Sequence, residues 1–329
     1  MSRPTISAVA RAAGVSVASV SRVLNGQPAT AEMVERVRKA AEELSYVPDA
    51  RARSLKVGRT FQLTLAVADV GNPVYVTMMR AVEIVVSAAG YRLVVTTTGQ
   101  DVVDEVALVR GMARGYADGL VISPLRVDDD LIKSIQECEV PVVVAGNVPA
   151  SAGVDTVRAN SPKGMALAVE HLLAGGRDRI AFVNGPVDTV PGTARAKGFA
   201  EAVKRYKLKA AGGIEAADFT FAAGRAAGKD LFKKSRPNAV ICANDLIAVG
   251  VMHELAAYGL KVPDDVAVVG MDDSELAEQS FPPLTSVNLG SAERGRRAAE
   301  LLLARIEDDS RAPRRIVVQP TLSVRRSTP

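Results

Sequence analysis

Residues 5–25 read Thr5-Ile-Ser-Ala-Val-Ala-Arg-Ala-Ala-Gly-Val-Ser-Val-Ala-Ser-Val-Ser-Arg-Val-Leu-Asn25, and their spacing decides how the fold begins. Thr5 is placed to N-cap a helix whose apolar face is Ile6, Val9, Ala10 and Ala13, the i, i+3, i+4, i+7 set of one helix side. Gly14 stops it, because the residue past a helix end often needs a positive φ. Ser16 caps a second helix through about Leu24, with Val20, Val23 and Leu24 inward and Asn25-Gly26 at its end. A third, from about Ala31 to Leu44, buries Val34, Val37, Ala41 and Leu44. Two helices joined by a tight glycine turn and buttressed by a third make a helix-turn-helix unit, the second helix of which fits a DNA major groove.

The exposed side of that second helix suits the task. Val17 and Ala18 at its start are small apolar groups able to touch a thymine methyl, and Arg22 can reach guanine O6 and N7 in a bidentate contact. Ser16, Ser19 and Ser21 can donate to phosphates. The plainer reading of the same residues is a three-helix bundle with a serine-rich exposed face. Charge adds to the first reading. Residues 1–60 carry ten Lys/Arg against five acids, a net of +5, whereas the rest of the chain is at −1. A basic head on a near-neutral body suits a polyanion-binding module joined to something else.

Composition bounds that something else. The 329 residues suggest about two domains, and 48% hydrophobic with 24% charged residues describes a soluble globular chain. No run approaches the ~20 apolar residues of a membrane span, and the N-terminus lacks the apolar core of a secretory signal. Cys138 and Cys242 are too few for a disulfide scaffold or a cysteine metal cluster and fit a reducing cytoplasm. With His171 and His253 as the only histidines, most zinc sites and a Ser/His/Asp triad are disfavoured, so no metal, cofactor or catalytic residue is assigned.

Between head and body runs Tyr46-Val-Pro-Asp-Ala-Arg-Ala-Arg-Ser-Leu-Lys-Val-Gly-Arg-Thr60. Pro48 suits a helix start, and Ala50 to Lys56 can form about two turns, marginal in water alone. Arg51, Arg53 and Lys56 surround one large apolar residue, Leu55, which makes sense as a wedge entering a minor groove.

Thr5 to Asn25, taken with this hinge-like ARARSLKVGRT, resembles the lactose-repressor/galactose-repressor (LacI/GalR) family of bacterial transcription regulators, and the match runs to the last residues. The resemblance implies a homodimer whose paired recognition helices read a two-fold operator and whose hinge helices fold on the DNA, each inserting a leucine. By position it makes Val17, Ala18 and Arg22 base readers and Leu55 the wedge, with Ala52 letting the hinge helices touch. Thr5, Ser16, Ser19, Ser21, Asn25, Arg53 and Lys56 complete the implied DNA contacts.

From Gln62 on, apolar strands alternate with amphipathic helices. Strands read at about 63–68, 92–97, 119–123, 141–145, 179–184, 239–243 and 266–271, and helices at about 74–89, 102–113, 162–174, 192–206 and 246–258. Near-continuous apolar strands belong to sheets covered on both faces, so the body is a doubly wound α/β fold long enough for two lobes. The resemblance makes it a two-lobed, periplasmic-binding-protein-like body. It implies a DNA-binding domain at 1–48, a hinge at 49–60 and an effector-binding and dimerisation domain at 61–329. The N-lobe is then about 61–159 with 290–318, and the C-lobe 160–289 with 319–329.

A ligand belongs at the C-terminal strand ends, between the lobes. Polar residues collect there at Asp69–Tyr75, Asn184–Arg195, Asn244-Asp245 and Asp272-Asp273. By family position Arg195, Asn244 and Asp272 bind the hydroxyls or heteroatoms of a small effector, a sugar or related metabolite, while Tyr75 and Phe219 are aromatic walls. Asn244 also reads as a helix N-cap, and Asp272 as a cap for residues 274–279. The chain departs from the family at Gly146-Asn147, where an acid is common, at Ala159-Asn160, where Asp-Asn is usual, and at Thr189 and Pro191. These departures leave room for a less polar or phosphorylated ligand, or for reliance on Thr97, Thr98 and Gln100.

Gly224-Arg-Ala-Ala-Gly-Lys-Asp230 is a residue short of a phosphate loop and lacks its Ser/Thr, so it reads as a helix face. The expectation is therefore a DNA-binding regulator, read as a repressor, that works from the cytoplasm without a membrane. A solute receptor without DNA function is the alternative, and a sugar-modifying enzyme is disfavoured by the missing catalytic constellation.

Overall fold

Side-chain caps set the first helices. The Oγ1 of Thr5 accepts from the amide of Ala8 at the start of α1 (Ile6–Ala13), which ends at Gly14 with φ of 65°. The Oγ of Ser16 accepts from Ser19 at the start of α2 (Val17–Leu24), and Thr30 caps α3 (Ala31–Glu43) in the same way. Successive α1 and α2 turn by 102°, the angle of a helix-turn-helix pair. Val9, Val20 and Val37 are fully buried where the three helices meet, and Leu24, Val34 and Leu44 pack at the edge of that core. This computed structural model describes residues 4–47, 54, 57–99, 101–208 and 210–329. The expected hinge contacts Ala52, Arg53, Leu55 and Lys56 lie outside the described residues, as does Gln100.

The chain divides into two units, Met1–Thr60 and Phe61–Pro329. In the second, the strands β1 (Gln62–Val67), β2 (Arg92–Thr97), β3 (Leu120–Ser123), β4 (Val142–Val144) and β5 (Asp155–Ala159) form one sheet. It is joined late by β11 (Arg315–Val318), in the parallel order β11-β5-β4-β3-β1-β2. The second sheet contains β6 (Ile180–Asn184), β7 (Gly213–Glu215), β8 (Ala239–Cys242), β9 (Ala267–Met271), β10 (Thr285–Asn288) and the antiparallel edge strand β12 (Thr321–Ser323). The chain thus passes between the lobes three times, after β5, β10 and β11. The doubly wound sheets expected from the apolar runs are present, while β5, β7, β10, β11 and β12 are short or polar strands that those runs did not reveal.

Helices cover both sheets. The N-lobe has α4 (Pro73–Ala88), α5 (Val102–Gly111) and α6 (Asp129–Gln136), joined by α12 (Ser291–Glu307), which packs on α4. The C-lobe has α7 (Ser161–Ala174), α8 (Val190–Tyr206), α9 (Phe221–Lys234), α10 (Asp245–Ala257) and the short α11 (Glu275–Gln279). Each fully buried Leu or Ile, such as Leu65, Ile122, Ile180 and Ile241, contributes ~1.5–3 kcal/mol. Among the described residues no single helix is long and apolar enough to cross a membrane.

The Gly224–Asp230 run lies on α9, where its glycines serve packing. A Cβ on Gly224 would strike the main chain of Ile247, and one on Gly250 of α10 would strike the carbonyl of Phe221 and the amide of Arg225. The two backbones are in direct contact, so neither can yield by a rotamer change. Alanine at position 250 gains about 1 kcal/mol in helix propensity but must force two helices apart. We expect Gly250→Ala to lower the unfolding free energy by a net ~1–3 kcal/mol. Urea denaturation reads it as a shifted midpoint, and an unshifted midpoint contradicts the close-packing account.

Candidate functional site

Two surfaces carry chemistry, one in each unit. On α2, Val17, Ala18, Arg22 and Asn25 are exposed, and helical spacing puts them on one side of the helix. Val17, at 44% exposure, offers an apolar group at the start of that side. Ser16 and Ser19 share a hydroxyl contact of 3.0 Å at the helix start. The Nδ2 of Asn25 donates to the Ser21 carbonyl at 2.7 Å and closes the other end. Thr5 is exposed at its own cap. The structure therefore exposes Val17, Ala18, Arg22 and Asn25 along one side of α2, while Thr5, Ser16 and Asn25 are tied into capping bonds.

In the second unit a cavity of about 530 Å³ opens between the lobes at the C-terminal strand ends. All five residues singled out from sequence line it: Tyr75 from the first turn of α4, Arg195 from α8, Phe219 before α9, Asn244 before α10 and Asp272 after β9. Their arrangement follows from local physics. Asn244 is both cap and lining, its Oδ1 accepting from the amide of Ile247 at 2.9 Å while its Nδ2 donates to the Phe219 carbonyl at 2.9 Å. Phe219 lies against Gly185, where any Cβ would collide with its ring, and the Arg195 guanidinium stands 5.8 Å from the ring centroid.

Arg195 and Asp272 form a buried ion pair with Nη2 to Oδ1 at 3.2 Å. Burial raises the Asp272 carboxyl, and the guanidinia of Arg195 and Arg294 pull it back down. Asp272 sits at φ 105° and Asp273 at φ 52°, two consecutive non-glycine residues in the left-handed region. Strain of this kind persists where surrounding contacts over-determine it. Asp273 supplies them, receiving Arg325 at 2.7 Å, Ser323 at 2.7 Å and Asn288 at 3.2 Å. Asp272 does not cap α11, whose N-cap is Ser274. Below it Asp245, pushed up to about 7 by burial and the nearby Asp272 charge, accepts from Ser274 N, Ser274 Oγ and Ser286 Oγ.

Thr97 and Thr98 do not line the cleft; Thr98 is buried and donates to the Val67 carbonyl, so this part of the expectation is corrected. Asp69, at the polar strand end noted above, lines it; conversely, the sequence reading passed over Arg294, Ser123 and Arg158, all of which do line it. The signal for Arg294 was its neighbour: Gly295 has no room for a Cβ against the main chain of Met78, so α12 is pressed onto α4 and Arg294 is carried inward.

The lobes also touch beside the cleft. Arg126 grips Asp188 through Nε at 2.7 Å and Nη2 at 3.2 Å, and the Val190 amide donates to the Leu125 carbonyl at 2.8 Å. The loop bearing Leu125 is held from behind by buried Glu105, whose Oε1 accepts from the Leu125 amide at 3.1 Å.

Comparison with known proteins agrees with this division of labour. The model for bacterial regulatory proteins of the lacI family matches residues 5–49, and that for the periplasmic binding protein-like domain matches 169–328. The chain is 37% identical to the HTH-type transcriptional regulator CelR of Thermobifida fusca over 99% of its own length and 98% of that protein. The chain belongs to the lacI family of bacterial regulatory proteins. It is a DNA-binding transcriptional regulator and not an enzyme, like the relatives it matches from end to end. Among solved structures, a complex of the transcriptional regulator CelR with cellobiose superposes with a TM-score of 0.75 at 34% identity, covering 99% of this chain and 100% of that one. The lac repressor dimer bound to operator and an anti-inducer gives 0.90 at 26% identity, covering 99% of each chain.

Burial pushes the Glu105 carboxyl up to about 7, with Asp128 adding to the rise and Arg126 opposing it. A carboxyl whose folded-state pKa is raised stabilises fully below its unfolded pKa and loses that contribution as pH rises through 7. Glu105→Gln removes the titration but keeps an oxygen for Leu125. Between about pH 5 and 8 the parent protein should lose ~2–3 kcal/mol of stability relative to this variant. Parallel stability–pH curves for the two proteins in chemical denaturation would contradict the assignment.

Proposed function

We propose that this regulator is a cytoplasmic repressor that binds a palindromic operator as a homodimer and is controlled by a small molecule held between its lobes. In this reading residues 1–48 bind DNA, 49–60 are the hinge and 61–329 bind effector and dimerise. The observation that carries it is one chain presenting both an exposed α2 rim of Val17, Ala18 and Arg22 and a cleft lined from two lobes by Tyr75, Phe219, Arg195, Asn244 and Asp272. A guanidinium, an amide and a carboxylate offer donors and acceptors on several sides, which suits a polyhydroxylated ligand. The cellobiose of the CelR complex supports the same class.

The mechanism is linkage. A ligand that contacts both lobes favours the lobe arrangement it fits, and an arrangement that changes the spacing of paired hinges changes the free energy of DNA binding. Arg22, Val17 and Ala18 read base edges, Ser16, Ser19, Ser21, Thr5 and Asn25 face the backbone, and the hinge contributes Ala52, Arg53, Leu55 and Lys56.

Gel shifts with a selected operator test this. Binding should weaken steeply with salt, and Arg22→Ala should cost ~1–3 kcal/mol on operator while relaxing one base pair of specificity. Equal loss on random DNA reassigns Arg22 to phosphate, and no salt-dependent binding by the parent protein leaves a receptor without DNA function. Arg195→Ala should abolish the response of the operator complex to ligand and spare operator binding itself; an unchanged response removes Arg195 from the site.

A further inference from the structure

The cleft holds more positive charge than its own acids neutralise. Arg195 already takes Asp272 at 3.2 Å. Arg294 enters from the opposite lobe, close enough for its charge to act on Asp272, Arg195 and the Tyr75 hydroxyl. Yet among the described residues it makes no ion pair, and its side chain's one hydrogen bond is Nη2 to the Ser291 hydroxyl at 3.1 Å. Two guanidinia thus share one carboxylate. The Nε–H groups of Arg195 and Arg294 are both buried without a hydrogen-bond acceptor, and a buried donor left unsatisfied is costly unless something supplies its partner. Asp245 does not make up the deficit, since its oxygens are taken by Ser274 and Ser286.

Helix ends add to the field. The cavity is lined by first-turn or capping residues of α4, α7, α8, α9, α10 and α12, and each helix N-terminus carries a partial positive charge. Asn72, Asn160, Thr189, Thr220 and Asn244 cap five of these with their own oxygens. The sixth, α12, begins at Gly290 with no capping side chain, one turn before Arg294. Of the other acids lining the cavity, Asp188 is already committed to Arg126 and Asp69 accepts from the Gly71 amide at 2.8 Å, while Arg158 and Lys197 add two further cations to the lining.

We propose that the effector is an acidic sugar derivative whose oxyanion, a carboxylate or a phosphate, is held between Arg195 and Arg294. This inference rests on the reading of the cleft as the effector site and deepens it. The fork of a guanidinium matches both oxyanions in a bidentate way, and the anion gives the surplus charge its counterion and the two orphaned donors their acceptors. It also joins the lobes, because Arg195 belongs to one and Arg294 packs with the other. Neutral hydroxyls would satisfy the donors but leave the charge uncompensated.

The test is calorimetric titration of the full-length chain with glucose, cellobiose, gluconate, cellobionate, glucose 6-phosphate and inorganic phosphate at constant ionic strength, repeated on Arg294→Leu, Arg294→Lys and Arg195→Ala. The expected result is at least tenfold tighter binding of one acid than of its neutral counterpart, the advantage collapsing in Arg294→Leu and partly restored in Arg294→Lys. Gluconate or cellobionate as the preferred member assigns the carboxylate, and glucose 6-phosphate assigns the phosphate. A ligand-free melting temperature in Arg294→Leu equal to the parent's excludes loss of fold as the cause. The inference is overturned if a neutral sugar binds as tightly as its acid, if the advantage survives Arg294→Leu, or if no anion in the set binds. A neutral sugar that binds as tightly as its acid and is lost in Arg195→Ala overturns it while leaving the cleft as the effector site; binding insensitive to Arg195→Ala overturns both.

Discussion

The buried ion pair between Arg195 and Asp272 is the constraint around which the second unit is arranged. A guanidinium and a carboxylate removed from water lose several kcal/mol of solvation each, and their attraction compensates only when geometry and further hydrogen bonds are good. Here the compensation is incomplete, since Asp272 is still displaced toward its neutral form and the Nε–H of Arg195 lacks an acceptor. The backbone beneath Asp272 is held in the left-handed region by the contacts of Asp273. A fold selected for stability alone would place an apolar pair at this depth. The pair is therefore understandable as half of an interaction that a ligand completes.

Much of this was legible in the sequence because it is local. Thr5, Ser16 and Gly14 announce helix ends through their own side chain or lack of one, and the apolar runs of β1, β3, β6, β8 and β9 announce buried parallel strands. Tyr75, Arg195, Phe219, Asn244 and Asp272 follow strand ends, so the open-sheet rule and the family resemblance could point to the cavity they line. What escaped the sequence depends on approach between distant segments. Arg294 looks like one more charge on an amphipathic helix until Gly295 meets Met78. Glu105 lies in the first turn of α5, where an acid usually caps the dipole, and only the packing of the Leu125 loop buries it. Strand β5, Asp155-Thr-Val-Arg-Ala159, is too polar to stand out and is made a strand by β4 and β11 on either side.

The same distinction explains Asn244. Read locally it is a helix cap; read by position it is a ligand contact. The structure shows one side chain capping Ile247, bonding the Phe219 carbonyl and lining the cavity at once. Capping and binding are not rival uses, because the C-terminal end of a parallel strand is also where the next helix begins. A polar residue there is fixed by its structural bond and so presents its remaining surface to the cleft in a defined orientation. That is preorganisation, and it reduces the ordering cost a ligand must meet.

How strongly can occupancy of the cleft bias the lobes? The ion pairs that link them directly, Arg126 to Asp188 and Arg80 to Glu275, have at least one largely exposed partner each, and such pairs contribute ~0–1 kcal/mol. The Leu125–Val190 backbone bond adds a similar ~0.5–1.5 kcal/mol. Among the described residues these three direct contacts thus contribute only a few kcal/mol together, about as much as one or two side chains buried in the cores. A ligand touching Tyr75 and Arg294 on one side and Arg195, Asn244 and Phe219 on the other need differ in affinity between two arrangements by only ~1–3 kcal/mol to produce the coupling typical of allosteric proteins. Weak direct contacts and a strongly polarised cleft belong together: the first leave the arrangement free to respond, and the second gives a ligand the means to choose it.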